Sequence, residues 1–258
     1  MARPTTDKKP NTNPTIFQEI LESKLPPQEK TLARLAQDGG AVVGAGTVTT
    51  AWAITVAVFY LTSQAPTLHK LKSELASALP TAGEEASLAS LEQLPYLSAV
   101  IKEALRLSYG VSSRLQRISP DEALTYVDPD ASSRQWRIPP GTPVSMTALL
   151  VFQNERIFPE PGAFRPERWI ENPRLDRYQV AFSKGTRICL GANLAMAEII
   201  LVLVGIFRVY GSREVRFEGD VGVLELYETD KSDVECCIDG FVPLPKADSK
   251  GVRFRVSL

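Results

Sequence analysis

The chain has few of the cysteine and histidine residues that form disulfide frameworks or metal clusters. It holds three cysteines and one histidine in 258 residues. Cys236 and Cys237 are adjacent, and an odd number of cysteines with this spacing does not make a disulfide framework. We therefore expect a protein of a reducing compartment, with a packing role for this cysteine pair and no metal role for the lone His69.

Charge of one sign is not in excess either. Lys and Arg together number 29 and Asp and Glu number 30, which leaves a formal net charge of -1. Such a balance gives no overall field that would attract nucleic acid or an anionic surface, so no nucleic-acid partner is predicted. The chain is 44% hydrophobic, which is enough to bury a sizeable core at this length.

The N-terminus lacks the apolar core of a signal peptide or a membrane anchor. Residues 1–14 are polar and rich in Pro, Thr and Lys, which predicts a disordered lead-in, and no membrane anchor is predicted in the chain. Residues 41–61 carry no charge and are long enough to cross a bilayer. Because Gly44, Gly46 and nearby hydroxyl residues dilute this run, a buried core helix is the favoured interpretation and a transmembrane span is the alternative.

The spacing of apolar residues predicts a mainly α fold with a smaller β portion. Helices are predicted at 15–23, 28–64, 68–79, 88–94, 96–107, 148–153 and 193–210. Short strands are predicted at 113–118, 124–127, 135–138 and 142–147, and again in the tail from 215 to 258. Residues 158–179 are expected to form an irregular packed loop. No linker or repeat divides the chain, so residues 15–258 are predicted to belong to one domain.

One stretch, residues 182–191, carries the strongest functional signal. Its sequence Phe-Ser-Lys-Gly-Thr-Arg-Ile-Cys-Leu-Gly sets Cys189 between two glycines, ahead of an apolar helix pattern. A thiolate at the start of a helix is stabilised by the helix dipole and suits a metal ligand, whereas a buried inert thiol is the simpler alternative. The spacing F-x-x-G-x-R-x-C-x-G resembles the haem-ligand loop of the cytochrome P-450 family, and five matching positions favour ligation over the inert thiol.

The resemblance implies a role for each marked residue of this loop. Cys189 would ligate the iron of haem b, and its thiolate would push electron density toward bound dioxygen. Gly185 would permit the backbone turn before the ligand, and Gly191 would let the helix approach the flat macrocycle. Arg187 would donate to a haem propionate, and Phe182 would shield one side of the sulfur.

A second pair of segments resembles the same family. Glu103 and Arg106 stand three apart on a predicted helix, a spacing that is also common on solvated helix faces. The segment Phe-Arg-Pro-Glu-Arg-Trp at 164–169 resembles the family's F-x-P-E-R-F/W loop. The resemblance implies that Arg168 joins Glu103 and Arg106 in a structural network, which is costly to break because one lost member leaves the others uncompensated.

A basic segment, Ser-Arg-Leu-Gln-Arg at 113–117, follows the helix of Glu103. Its place resembles the family's strand that lines the active site and supplies an arginine to a haem propionate. Arg114 is predicted to make that contact. An exposed strand arginine without a ligand is the alternative, because arginine is mostly exposed in proteins.

The long predicted helix contains Ala-Gly-Thr-Val-Thr-Thr at 45–50, which resembles the family's oxygen-activation motif A/G-G-x-D/E-T-T/S. The resemblance implies that Thr49, with Thr50 beside it, relays protons for O–O cleavage. Val48 occupies the usual acid position and carries no proton. The departure therefore bears on the efficiency of oxygen activation and not on haem binding.

Together these motifs resemble the family over nearly the whole chain and in family order, with details most like fungal members of secondary metabolism. The resemblance implies a mainly α cytochrome P-450 fold truncated at the N-terminus. The implied activity is a haem-thiolate monooxygenase that oxidises an apolar small molecule with dioxygen and electrons from an NADPH-dependent reductase. A truncated, inactive remnant is the alternative. Full-length relatives would lie on the cytosolic face of the endoplasmic reticulum membrane, and for this chain a cytoplasmic location stays open.

Overall fold

The computed structural model describes residues 14–79, 86–128 and 134–258. The predicted disordered lead-in at 1–14 lies outside these residues except for its last position. The chain divides into two compact units, Met1–Val48 and Thr49–Leu258. The division falls inside the long helix that the apolar run predicted.

The first unit holds helix α1 (Ile16–Glu22) and the first half of helix α2 (Leu32–Ser63). The Thr15 hydroxyl caps α1 by accepting a hydrogen bond from the Gln18 N–H at 3.2 Å. The long helix begins at Leu32 and not at 28, because residues Pro27–Lys30 form a separate 3-10 turn.

Helix α2 is long and apolar enough to cross a membrane, with a mean hydropathy of 1.7 in its most apolar window, of which 33% is buried. A core helix of a soluble protein and a signal sequence share this length and apolarity. From Thr50 to Leu61 most residues of α2 are buried, which agrees with the core-helix interpretation for this half. Val42 and Val43 in the other half are 48% and 68% exposed.

The core of the second unit is helical. It is formed by the second half of α2 with helices α3 (Ala65–Ala78), α4 (Leu88–Leu91) and α5 (Pro95–Ser108), and by a helix near the C-terminus, Ala192–Phe207. Two of these helices begin with a proline in the first turn, where its missing N–H costs nothing. Fully buried members from four of these helices include Val56, Leu71, Val100 and Leu203. The mainly α class is confirmed.

Nested pairing joins the first four strands. Strands β1 (Leu115–Ile118) and β4 (Pro143–Met146) pair antiparallel, and β2 (Leu124–Val127) pairs with β3 (Gln135–Ile138) between them in sequence. The predicted turn at residues 139–141 therefore joins strands of two different sheets and closes no hairpin.

Short helices interrupt the segment predicted to be irregular. Helix α6 (Ala148–Phe152) precedes it, and helix α7 (Glu167–Glu171) and the 3-10 turn Pro173–Tyr178 lie within it. Helix α8 (Ala192–Phe207) follows. It ends three residues before the predicted end at 210, because β5 (Tyr210–Gly211) begins there.

The strand-rich tail predicted from the sequence is confirmed. Strands β5, β6 (Gly222–Leu226) and β9 (Phe254–Ser257) form a three-stranded sheet in that order. Strands β7 (Ile238–Gly240) and β8 (Val242–Leu244) form an antiparallel hairpin.

A buried ion pair ties α3 to the end of α8. The Lys72 ammonium lies 2.7 Å from Asp220 Oδ1, and both side chains are 2% exposed. Lys72 also donates to the carbonyl oxygens of Phe207 at 2.8 Å and Tyr210 at 3.0 Å. A cation is favoured at this end of a helix by the helix dipole, so Lys72 connects α3 to the C-terminal end of α8.

Candidate functional site

The loop at 182–191 is held in shape by its own backbone. The Cys189 N–H donates to the Phe182 carbonyl at 2.9 Å, and the Ile188 N–H donates to Gly185 at 3.0 Å. Ser183 and Gly185 have φ angles of 61° and 75°, in the left-handed region that glycine adopts freely. Backbone hydrogen bonds within the loop therefore hold its two ends together.

The thiol of Cys189 is exposed and stands two residues before the N-cap of α8. The N-cap is Gly191, which offers no side chain to the first N–H groups, and the first turn of α8 holds no acidic residue. The first N–H groups of a helix have no partner within the helix and carry partial positive charge. This end of α8 is therefore suited to a nearby thiolate.

The apolar residues next to Cys189 in sequence are exposed. Ile188, Leu190 and Leu194 are 55%, 88% and 64% exposed. A Cβ placed on Gly191 would meet no described atom within 4 Å, so this side of the loop is open. Arg187, two residues before Cys189, is also exposed.

The end of α5 supports the start of the loop. Tyr109 and Gly110 both adopt left-handed backbone angles, with φ of 59° and 65°. A Cβ at Gly110 would lie 2.5 Å from the Ala181 carbonyl oxygen, a distance that real Cβ contacts do not reach. Only glycine therefore lets α5 end against the residue that precedes Phe182.

Below this contact lies a buried network centred on Glu103. The carboxylate is bound by both arginines of the motif: Arg106 donates from Nε and Nη2 at 2.9 Å each, and Arg168 donates from Nε at 3.0 Å. The Trp169 indole N–H donates at 2.8 Å and the Arg165 backbone N–H at 2.8 Å. Glu103 and Arg106 are fully buried, and Arg168 is 4% exposed.

The arginine donors that Glu103 does not use are taken up by backbone carbonyls. Arg106 donates to Phe152, Pro161 and Ala163 at 3.1, 2.7 and 2.9 Å. Arg168 donates to Pro159 at 2.9 Å. The segment between α6 and α7, which has little regular structure, is thereby fixed to α5. Burial lowers the pKa of Arg168, and the charge of Glu103 works against that shift.

Glu167 adds a second connection between α7 and the helical core. Its Oε1 accepts from the Lys70 ammonium at 2.7 Å and from the Tyr96 hydroxyl at 2.8 Å. Burial acts to raise the pKa of Glu167, but these two hydrogen bonds, a backbone hydrogen bond and the charge of Lys70 together leave the pKa below its ordinary value. Helix α7 is therefore held to both α3 and α5.

The two arginines of the basic segment differ in what they reach. Arg114 is exposed and precedes β1. Its charge helps to lower the pKa of Asp239, after the larger effect of hydrogen bonds from Ser112 and Ser113. Arg117, on β1, reaches the cysteine loop itself, where its Nη2 donates to the Ser183 hydroxyl at 3.3 Å. The predicted propionate contact of Arg114 stays a prediction, and the contact of Arg117 with the loop had no separate signal in the sequence.

Thr49 and Thr50 lie on α2, at the start of the second unit. Thr50 is 7% exposed, so its hydroxyl is in the core and not on the surface. Val48 is 50% exposed and belongs to the first unit. The function of Thr49 and Thr50 in proton transfer stays a prediction.

The donor set at the loop fits a haem. A single exposed thiol at a helix N-terminus, an apolar surface and nearby guanidinium groups match an iron, a flat apolar macrocycle and two carboxylates. No group of three or more His, Cys, Asp or Glu side chains in the described ranges could hold a metal ion without such a cofactor.

The sequence matches the family model described as Cytochrome P450 over residues 3–216. Cytochrome P450 monooxygenase tpcC of Cochliobolus heterostrophus is 51% identical, over 95% of this chain and 47% of the relative. Cytochrome P450 monooxygenase astB of Talaromyces wortmannii is 48% identical, over 96% of this chain and 51% of the relative. Fusicoccadiene C-8 hydroxylase of Phomopsis amygdali is 40% identical, over 94% and 44%. The chain spans about half the length of the curated relatives it matches.

Proposed function

The chain belongs to the cytochrome P450 family, and from that membership we propose that it carries the thiolate side of a monooxygenase site. Members of the family are oxidoreductases whose haem is held by a cysteine thiolate. The observation that carries the proposal is the closed loop at 182–191, which presents the Cys189 thiol beside the uncapped start of α8.

The proposed reaction inserts one oxygen atom of dioxygen into an apolar small molecule of the fungal secondary-metabolite class. Two electrons and two protons reduce the other oxygen atom to water. The electrons come from an NADPH-dependent reductase at the cytosolic face of the endoplasmic reticulum. Haem, when bound, supplies the iron at which dioxygen is reduced.

A few residues of the chain have proposed tasks in this reaction. Cys189 holds the iron, and the N–H groups at the start of α8 stabilise its thiolate form. Arg187 and Arg114 bind the propionates, and the hydrogen bond from Arg117 to Ser183 supports the loop that carries Arg187. A hydroxyl of the kind Thr49 carries can hold a water and pass protons.

The ligand assignment is tested with a matched pair of cysteine variants. Haemin is titrated into wild type, Cys189→Ala and Cys236→Ala, and the Soret absorption is recorded in the oxidised and reduced states. We expect the thiolate-type spectrum in wild type and Cys236→Ala and its loss in Cys189→Ala. Equal loss in both variants contradicts the assignment, and a folded wild type that binds no haem supports the inactive alternative.

A further inference from the structure

A cavity of about 280 Å³ lies within the unit Thr49–Leu258. It is bounded by the last turns of α2 and α5, by α6 and by the chain that leads to β7, and its apolar side chains are Leu107, Leu149 and Val234. Its volume is close to the lower end of the range of small-molecule sites, roughly 300–1,000 Å³. Among the described residues that line it, none belongs to the loop at 182–191.

Tyr60, on α2, lines this cavity and is held by aromatic packing. Its ring stacks on that of Phe164, with centroids 4.7 Å apart and planes 7° from parallel, and Phe59 packs against it edge-on at 5.2 Å. The residue is 6% exposed. Burial raises the pKa of Tyr60, and the charge of Glu235, which also lines the cavity, adds to that shift. The hydroxyl therefore lies near the Glu235 side of the cavity and is protonated at neutral pH.

The Tyr60 hydroxyl is both reachable and without a hydrogen-bond partner among the residues that the structure describes. Of the side-chain polar atoms in those residues, the two that are closed to water and unpartnered are Trp52 Nε1 and Arg253 Nε. The Tyr60 oxygen is not among them, so a small molecule in the cavity can reach it. Buried tyrosine hydroxyls usually find a partner: Tyr96, for comparison, donates to Glu167 at 2.8 Å.

A second phenol of the cavity also has a proton to donate. The Tyr109 hydroxyl accepts a hydrogen bond from Gln153 Nε2, and its own O–H finds no acceptor among the described residues. Tyrosine hydroxyls donate as well as accept. Because both phenols have a proton without an acceptor, the cavity is suited to a ligand that brings an acceptor and not a further donor.

The charges that line the cavity cancel. They are Lys231 and Glu235, whose ammonium nitrogen and Oε1 lie 2.9 Å apart. Burial raises the pKa of the Cys236 thiol, so this group is neutral as well. With one cation paired to one anion, the wall offers no counter-charge that would offset the cost of burying an ion. A neutral ligand is therefore favoured.

We propose that this cavity binds a neutral molecule of about one ring that carries a carbonyl oxygen, and that the Tyr60 hydroxyl donates a hydrogen bond to that oxygen. The side chains of Leu107, Leu149 and Val234 contact the apolar body of the molecule. The site uses no residue of the cysteine loop and no haem, so it goes beyond the proposed monooxygenase.

The test uses two compounds of nearly the same shape, acetophenone and α-methylstyrene, in which a CH₂ group replaces the carbonyl oxygen. Each is titrated into the purified chain labelled with ¹³C at the tyrosine Cζ, whose resonance responds to hydrogen bonding of the hydroxyl. The chain has seven tyrosines, and Tyr60→Phe assigns the relevant resonance. We expect acetophenone to shift it saturably and to bind more tightly than α-methylstyrene.

Tyr60→Phe keeps the ring that stacks on Phe164 and removes only the donor. It should weaken acetophenone about three- to tenfold and leave α-methylstyrene unchanged. Tyr126→Phe is the matched control, because Tyr126 lies on β2, outside the cavity, and is 51% exposed. It should leave both affinities unchanged.

Three results would overturn the proposal. The first is a folded chain whose Tyr60 resonance does not respond to acetophenone, which would mean that the hydroxyl meets water only. The second is binding of acetophenone no tighter than that of α-methylstyrene. The third is an equal affinity for acetophenone in wild type and Tyr60→Phe. A failure to bind haem in the separate cysteine test affects none of these outcomes.

Discussion

Glu103 is a fully buried carboxylate that accepts hydrogen bonds from two guanidinium groups, an indole and a backbone N–H. Its charge is offset by Arg106 and Arg168, whose surplus donors are bound by carbonyls of the segment between α6 and α7. The network thereby fixes a nearly irregular segment that leads to the cysteine loop. Removing the one acid leaves two buried cations without a counter-charge.

We therefore expect Glu103→Gln to lower the free energy of unfolding by about 3–5 kcal/mol, measured by urea denaturation. Glu171→Gln is the control, because the Glu171–Arg165 pair is roughly half exposed on both sides and exposed pairs contribute about 0–1 kcal/mol. A loss below about 1 kcal/mol in Glu103→Gln would show that the network does not stabilise the fold.

The residues of this network were only partly visible in the sequence. The motif segments indicated that Glu103, Arg106 and Arg168 come together, and the structure places all three within hydrogen-bonding distance. Trp169 as a further donor had no signal of its own, because its spacing fits an ordinary core aromatic. Lys72 was equally hidden, since its partner Asp220 lies 148 residues away in sequence.

At the scale of elements, the close approach of α5 to the cysteine loop depends on Gly110. Its positive φ and the 2.5 Å that would separate a Cβ at this position from the Ala181 carbonyl oxygen leave no room for a side chain. Gly141 has a similar φ of 77°, but a Cβ there meets nothing within 4 Å. Substitutions at these two glycines can therefore be compared to separate the cost of a left-handed backbone from the cost of steric overlap.

Gly141→Ala is expected to lower the free energy of unfolding by about 1–2 kcal/mol, the cost of a left-handed backbone alone. Gly110→Ala should cost about 1–3 kcal/mol more, because the overlap with Ala181 must also be relieved. Chemical denaturation of both variants measures the difference. Equal losses would mean that α5 and the loop adjust to each other freely.

Most elements could be located from periodicity, whereas their pairing could not. Strands β2 and β3 lie at the predicted residues, yet β3 pairs with β2 and β4 pairs with β1. The turn at 139–141 signals a change of direction but not which strand lies next, because strand partners are chosen by packing across the sheet. The predicted end of α8, residue 210, was also wrong. Contacts from outside the helix, with β5 and Lys72, bear on where it ends, and these are not visible in its own sequence.

At the scale of the whole molecule, the described chain supplies the closed cysteine loop, its support from α5 and the buried Glu103 network. It spans about half the length of the curated relatives that it matches. The family and the mainly α fold follow from motifs that lie close together in sequence.

The most direct test is the difference spectrum of the purified, haem-loaded chain after reduction and exposure to carbon monoxide. The account predicts the red-shifted Soret band that a thiolate-ligated haem gives in this family, and its absence in Cys189→Ala. A folded chain that binds haem but shows no such band would contradict the central claim that Cys189 is the iron ligand.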